Sequence, residues 1–477
     1  MMILYAASEV APFVKTGGLA DVAGSLPAAI ARKGHDIRVV LPLYEAVNAS
    51  WREQMTFRTH FQVQLSWRNL YCGVFELVRD GVTYYFLDNE YYFRRPQIYG
   101  HYDDGERFAF FSRAILYLPD VLGFRPDVIH CNDWQTALIP VYLLEERGRR
   151  AGLQQARSVY TIHNIEYQGR YGADILGDVF GLDAGYLNED MLGYYGDVNL
   201  MKGAIFAADA VTTVSPNYAQ ELHYGFYAHG LEGVIARNDY KLFGILNGID
   251  VSLYDPASNP RLPQNFTSAA LSGKKACKRE LQQISGLRDC DAVPIIACVS
   301  RLVKHKGFDL IAASIHDIMR MDVQMVVLGT GDWNYEETFR QAQRQYPGRF
   351  AAHMMYSSSL SETIYAGADL FLMPSISEPC GLSQMIAMRY GTVPIVRETG
   401  GLKDSVQPYN KFEHTGTGFS FANIDRQDML HVIGEAVDLW KTDQKAWQGL
   451  QKRGMTADFS WTKSAGDYES IYLELTK

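Results

Sequence analysis

Three groups of residues have the types and spacing to do chemistry. Arg301 and Lys306 lie in Ser300-Arg301-Leu302-Val303-Lys304-His305-Lys306-Gly307, directly after an apolar run. A guanidinium grips phosphate through two parallel hydrogen bonds, and an ammonium adds a compact charge. Glu378 opens Glu378-Pro379-Cys380-Gly381-Leu382 behind the apolar Phe371-Leu372-Met373. A carboxylate there can accept hydrogen bonds from two sugar hydroxyls. The third group is a phrase that occurs twice, as Thr16-Gly17-Gly18-Leu19-Ala20-Asp21 and Thr399-Gly400-Gly401-Leu402-Lys403-Asp404. A glycine pair at a helix start lets a ligand approach the backbone, and free N–H groups there attract phosphate or sugar hydroxyls. Plainer accounts exist for each group: a solvated basic turn, an acid complementing a helix dipole, an ordinary Gly-Gly turn. The combination in one chain is what points to a sugar nucleotide.

Such residues need strands and helix starts to place them. The chain alternates apolar runs with amphipathic stretches, the rhythm of parallel α/β sheets. Strands are expected at Met2–Ser8, Asp36–Pro42, Asp127–Cys131 and Ser158–His163. Between about 61 and 88 the period shifts toward two, which predicts inserted antiparallel strands. Residues 168–200 have weak periodicity and read as a long active-site loop. A second series follows: strands Pro294–Ser300, Val323–Leu328, Leu370–Met373 and Val393–Val396, with helices from about His305 and Cys380 and a closing helix. His130-Cys131-Asn132-Asp133 and Thr161-Ile162-His163-Asn164 end strands with polar residues. In an open α/β sheet such ends converge on one ligand-binding edge. Lys15 stands beside the first glycine pair.

Composition narrows the classes. The 477 residues fit two or three domains, with 47% hydrophobic and 21% charged residues. A net charge of −9 argues against non-specific nucleic-acid binding and an acidic membrane partner. No apolar run reaches membrane-spanning length, and the start lacks a basic leader. The six cysteines form no CxxC pair, which favours a reducing cytoplasm and no zinc site.

Taken in order and spacing, Lys15-Thr16-Gly17-Gly18-Leu19, Arg301 with Lys306-Gly307, Glu378-Pro379-Cys380-Gly381-Leu382, Thr399-Gly400-Gly401-Leu402 and the closing Asp458-Phe459-Ser460-Trp461 resemble bacterial glycogen synthases and plant starch synthases over the whole length. The resemblance implies two doubly wound Rossmann-like domains facing across a cleft, the GT-B architecture. The implied division is 1–246 (acceptor side), 247–457 (nucleotide-sugar side) and a C-terminal helix, 458–477, crossing back. It implies retaining transfer of glucose from ADP-glucose to the non-reducing 4-hydroxyl of an α-1,4-glucan. The runner-up is a related transferase using UDP-glucose or another acceptor.

Residue roles carry over by motif. Arg301 and Lys306 resemble the pair that holds the diphosphate, and Lys15 the lysine reaching it from the other domain. Glu378 resembles the acid on the sugar hydroxyls. His163 resembles the histidine whose backbone carbonyl lies near the reacting sugar, and Asp133 an acid important for activity. Tyr356 resembles the ring on the adenine. Gly17, Gly18, Asp21, Asn247, Cys380, Gly381, Leu382, Thr399, Gly400 and Gly401 complete the implied binding set. Many GT-B enzymes have a second glutamate eight positions after the first; here that position is Ile386. No cofactor and no metal are expected, since cations stand where Mg²⁺ would act. No residue stands out as a nucleophile, which favours front-face attack over a covalent intermediate.

Overall fold

The computed structural model describes residues 1–477, and the chain forms two compact units. One is Met1–Asn247 together with Trp461–Lys477; the other is Gly248–Ser460.

The second unit holds a six-stranded parallel sheet. Its strands in spatial order are Phe350–His353, Gln324–Leu328, Ile295–Val299, Leu370–Met373, Val393–Arg397 and Phe419–Phe421. In chain order this is 3-2-1-4-5-6, the doubly wound Rossmann arrangement. Strands such as Ile-Ile-Ala-Cys-Val and Gln-Met-Val-Val-Leu are buried along their length because helices cover both faces. The helix Phe308–Arg320 turns Phe308, Ile311, Ile315, Ile318 and Met319 into that core at 3.6-residue spacing. The order reverses between Ile295–Val299 and Leu370–Met373, so the loops after these two strands diverge and leave a crevice.

The main sheet of the first unit has nine strands. Seven are parallel, in the order Leu242–Gly244, Ala210–Thr213, Arg157–Ile162, Val128–Asn132, Met2–Ala6, Asp36–Pro42 and Val82–Asp88. The hairpin Thr56–Leu65 and Arg68–Arg79 extends the sheet antiparallel. Here the order reverses between Met2–Ala6 and Val128–Asn132. The C-terminal helix Trp461–Leu475 belongs to this unit although it follows the whole of the other. Glu469 accepts bonds from Lys33 and pairs with His35, both at 2.8 Å, and the Tyr472 hydroxyl bonds His130 Nδ1 at 2.6 Å.

Several local expectations shift. The stretch 168–200 is not only loop: Arg170–Gly172, Asp197–Asn199 and Gly193–Tyr194 form a small antiparallel sheet. Strands of two or three residues are too short to print a period in the sequence. The same brevity hid Ala210–Thr213, Leu242–Gly244, Phe350–His353 and Phe419–Phe421. Val82–Asp88 is antiparallel to the hairpin but parallel to Asp36–Pro42. The helix expected from Cys380 starts at Ser383, because Gly381 takes φ +72° and turns the chain first. No helix is long and apolar enough to cross a membrane, and none of the six cysteines forms a disulfide.

Candidate active site

In the second unit the chemistry gathers at the strand-order reversal. Ile295–Val299 leads into Ser300, exposed Arg301 and a single 3-10 turn, Lys304–Lys306. Leu370–Met373 leads into the loop carrying Glu378. Below the crevice, Gly307 lets the chain after Lys306 come against Pro374 at the base of the other loop. It takes φ +76°, and a Cβ there would lie 2.0 Å from the Pro374 carbonyl oxygen. The His305 carbonyl then accepts from Ile376 N at 2.8 Å, and Arg397 braces the loop from below through the Ser375 and Ile376 carbonyls at 2.7 and 2.6 Å. Lys306 Nζ consequently donates to both Glu378 oxygens at 2.7 Å. Ser375 Oγ donates to the same carboxylate at 3.1 Å. The two expected roles, phosphate cation and sugar acid, are therefore joined in one largely buried ion pair, with side-chain exposures of 17% and 8%. Ile386, where a second glutamate would stand, is buried in the helix Ser383–Arg389.

The second glycine pair serves a different purpose from the one expected. A Cβ on Gly400 would sit 2.0 Å from the Glu378 carbonyl oxygen, and one on Gly401 2.3 Å from that of Cys380. Gly401 N donates to the Glu378 and Pro379 carbonyls at 3.2 and 3.1 Å. The glycines thus let one backbone loop press against another and shape the Glu378 turn. Thr399 is buried at the start of the six-residue helix Gly400–Ser405, Cys380 is buried, and Leu382 precedes the helix Ser383–Arg389. Tyr356 is 80% exposed beyond Phe350–His353, two strands away from the reversal.

In the first unit the equivalent reversal carries Asp133. Its backbone is at φ 55°, ψ −177°, a region that glycine ordinarily occupies and that costs other residues about 1–3 kcal/mol. The strain is held by Asp133 N bonding the Thr161 carbonyl at 3.0 Å. It aims Asp133 Oδ1 at the backbone N–H groups of His163 (2.7 Å) and Asn164 (3.4 Å). This unusual backbone is also why the helix expected to start here is a 3-10 turn, with α-helix only from Leu138. The side chain keeps a little surface, but the crowding protein desolvates it and pushes its carboxyl up to about 7, against the lowering effect of the two amides. His163 Nε2 lies 2.8 Å from Asn132 Oδ1, which assigns the ring proton to Nε2. Desolvation brings the His163 imidazole down to about 3, so it is neutral at ordinary pH. His130 is a core residue: its ring bonds Tyr472 and Thr161, each at 2.6 Å.

The first glycine pair also departs from expectation. Thr16 N (2.5 Å), Thr16 Oγ1 (2.8 Å) and Gly17 N (3.3 Å) all donate to Glu9 Oε2. A buried carboxylate already occupies the anion position that these amides create. Gly18 is the open member, with nothing within 4 Å of an added Cβ. Lys15 Nζ pairs with Asp21 Oδ1 at 2.6 Å, so Asp21 is the lysine's partner. Asn247, the last residue of this unit's main segment, is buried with its Oδ1 unpartnered. Sequence reasoning missed Glu9, Asn132 and Ser375. Glu9 had a signal, since it follows the first strand at a position where sheet edges bind ligands.

Each half-site is an open sheet edge with fixed charge and backbone groups, suited to binding and polarising a phosphorylated sugar. No group of three or more His, Cys, Asp or Glu side chains is placed to hold a metal ion. Residues 2–237 match the family described as starch synthase catalytic domain, and residues 284–453 match glycosyl transferases group 1. A glycogen synthase of Geobacillus thermodenitrificans is 48% identical over 477 residues, all of this chain and 98% of the relative. One from Lachnospira eligens is 48% identical over 476 residues, 99% of each chain. The chain belongs to the glycogen synthase family. The family likeness extends to three dimensions. The catalytic domain of starch synthase IV from Arabidopsis thaliana, solved with ADP and acarbose, is 36% identical with a TM-score of 0.92 over 99% of both chains. The fold is thus the GT-B architecture of two Rossmann-like domains. A sucrose-phosphate synthase from Thermosynechococcus elongatus shares that fold at 16% identity and a TM-score of 0.63, covering 99% of this chain and 98% of its own.

Proposed function

We propose that the protein is a retaining glucosyltransferase that moves glucose from ADP-glucose to the non-reducing 4-hydroxyl of an α-1,4-glucan and releases ADP. The observation that carries this reading is the Lys306–Glu378 pair at the strand-order reversal of the second unit, in a chain of this family. When the bond to the nucleotide breaks, negative charge collects on the β-phosphate and positive character on the sugar carbon. Arg301 and Lys306 neutralise the first. Donor binding draws Lys306 toward phosphate and frees Glu378 oxygens for sugar hydroxyls. The fixed cations already offset the charge that a divalent metal would otherwise neutralise, so the transfer needs none. Once Lys306 turns to the phosphate, Glu378 keeps the Ser375 hydroxyl on one oxygen and offers the rest to sugar hydroxyls, a binding and charge-stabilising role. Front-face transfer follows, with the departing phosphate taking the acceptor's proton. Asp133 holds the His163–Asn164 backbone at the equivalent strand end of the first unit. ADP release with maltotriose as acceptor tests the reading. Turnover with ADP-glucose well above UDP-glucose, retained in a strong chelator, is expected. Absence of turnover with either donor refutes it, and loss in chelator refutes the metal-free part.

A further inference from the structure

The outer hairpin of the first unit carries a row of rings that the reaction does not use. On its solvent face Phe57 packs on Phe75 with centroids 5.3 Å apart. Phe57 then lies near-parallel to His60 (6.4 Å, 22°), and His60 near-parallel to Tyr71 (5.8 Å, 26°). Phe57 is 50% exposed and Tyr71 42%, and His60 is exposed between them. The opposite face of the same strands carries Val63, Leu65, Cys72 and Val74, all fully buried, so the rings lie on the outward face; a bulge at Arg58 brings Phe57 onto the same face as His60. Gly73 faces His60 across the strands. A Cβ there would lie 2.7 Å from the Tyr71 hydroxyl, so the glycine lets the Tyr71 ring lie down beside His60.

Within the hairpin this strip carries no net charge, and one carboxylate, Asp88 of the neighbouring strand, stands beside Gly73. From the Phe57–Phe75 pair to the hairpin turn, no outward position holds Lys, Arg, Asp or Glu; the remaining ones carry the exposed amides Gln62, Gln64 and Asn69. Arg58 and Glu76 at the far end neutralise each other at 3.5 Å. Ring faces match the C–H faces of a sugar, and side-chain amides match its hydroxyls. The run from the Phe57–Phe75 pair to Tyr71 is about 14 Å at ordinary strand rise, long enough for several sugar units. A neutral strip of rings and amides, on a chain of net charge −9, suits a neutral polymer. We propose that this hairpin face is a docking platform for an α-glucan chain, separate from the catalytic residues. The proposal rests on the reading of the protein as a glucan-extending enzyme.

The test is electrophoresis of the full chain in native gels containing glycogen, alongside turnover on glycogen and on maltotriose. Phe57→Ala, Tyr71→Ala and the double variant should weaken retardation by glycogen, by roughly three- to tenfold in affinity per ring. The KM for glycogen should rise in step, with kcat on maltotriose unchanged. In the wild type, maltoheptaose should protect His60 from acylation by diethyl pyrocarbonate, which gives a readout free of folding effects. Normal turnover with unaltered retardation in the double variant and no protection of His60 overturns the platform. So does unaltered retardation with a change from dimer to monomer, which would make the face an interface between copies. Absent turnover with ring-dependent retardation would instead remove the proposed activity and leave the platform standing.

Discussion

Replacing Lys306 by alanine separates the two tasks that one ammonium performs. In the ligand-free protein it neutralises Glu378, and in the reaction it meets phosphate. The pair is 2.7 Å long on both oxygens and mostly out of water, so solvent does not screen it as it does a surface pair worth 0–1 kcal/mol. Removing one partner of a fully buried pair costs about 3–5 kcal/mol. Ser375 Oγ remains as a donor and Lys306 is partly exposed, so we expect about 2–3 kcal/mol for Lys306→Ala. At about 2–4 °C per kcal/mol for a unit of this size, the second unit should melt roughly 4–12 °C lower. Loss of the phosphate contact should lower kcat by roughly 10²–10³. Lys306→Ala/Glu378→Gln removes the stranded charge. Its melting temperature should return most of the way, and its turnover should not. Calorimetry and ADP-release kinetics on the wild type, both single variants and the double complete the cycle. Additive melting shifts would show that the pair is not coupled. A Lys306→Ala enzyme within tenfold of wild-type kcat would remove the ammonium from the chemistry.

Gly400→Ala should cost about 2–4 kcal/mol, since its Cβ would meet the Glu378 carbonyl oxygen at 2.0 Å and the backbone has φ +43°; Gly18→Ala, facing open space, should leave the melting temperature nearly unchanged. Equal shifts for the two, measured by thermal melts, would contradict the backbone-contact account of the second glycine pair. Asp133→Asn should remove one component of the pH dependence of stability. A carboxyl raised to about 7 in the fold and near 3.9 unfolded binds its proton preferentially in the native state, so its contribution falls as pH rises from about 4 to 7 and stays low above. The variant should therefore gain stability at pH 8, by up to about 4 kcal/mol, and gain little at pH 4. His163 and His130, both lowered to about 3, act oppositely: they favour the fold fully above about 6.5 and lose that contribution as pH falls toward 3. Removing Asp133's opposing effect should make acid unfolding of the variant steeper; equal slopes in urea titrations from pH 4 to 6.5 would refute these assignments.

Much of this protein was legible in the sequence because parallel α/β sheets announce themselves. Buried strands are continuous apolar runs, and Asp36–Pro42 and Leu370–Met373 lie at the residues expected from those runs alone. Their chemistry follows at the strand ends, so Arg301, Lys306, Glu378, Asp133 and His163 could be named without coordinates. Short strands without a continuous apolar run, such as Ala210–Thr213 and Phe419–Phe421, could not be read, since they are set by pairing with neighbours distant in the chain. Nor could the purpose of the glycines. The two similar phrases look alike, but only the second needs residues without side chains. Gly17 donates to a buried glutamate eight residues upstream, whereas Gly400 and Gly401 press on a turn 22 and 21 residues upstream. Residue type and local spacing decide which groups can do chemistry. Contacts between segments far apart in sequence decide which of them already hold one another, as Lys306 holds Glu378 across 72 positions. Those contacts come from the strand order of the sheet, and no local pattern encodes that order.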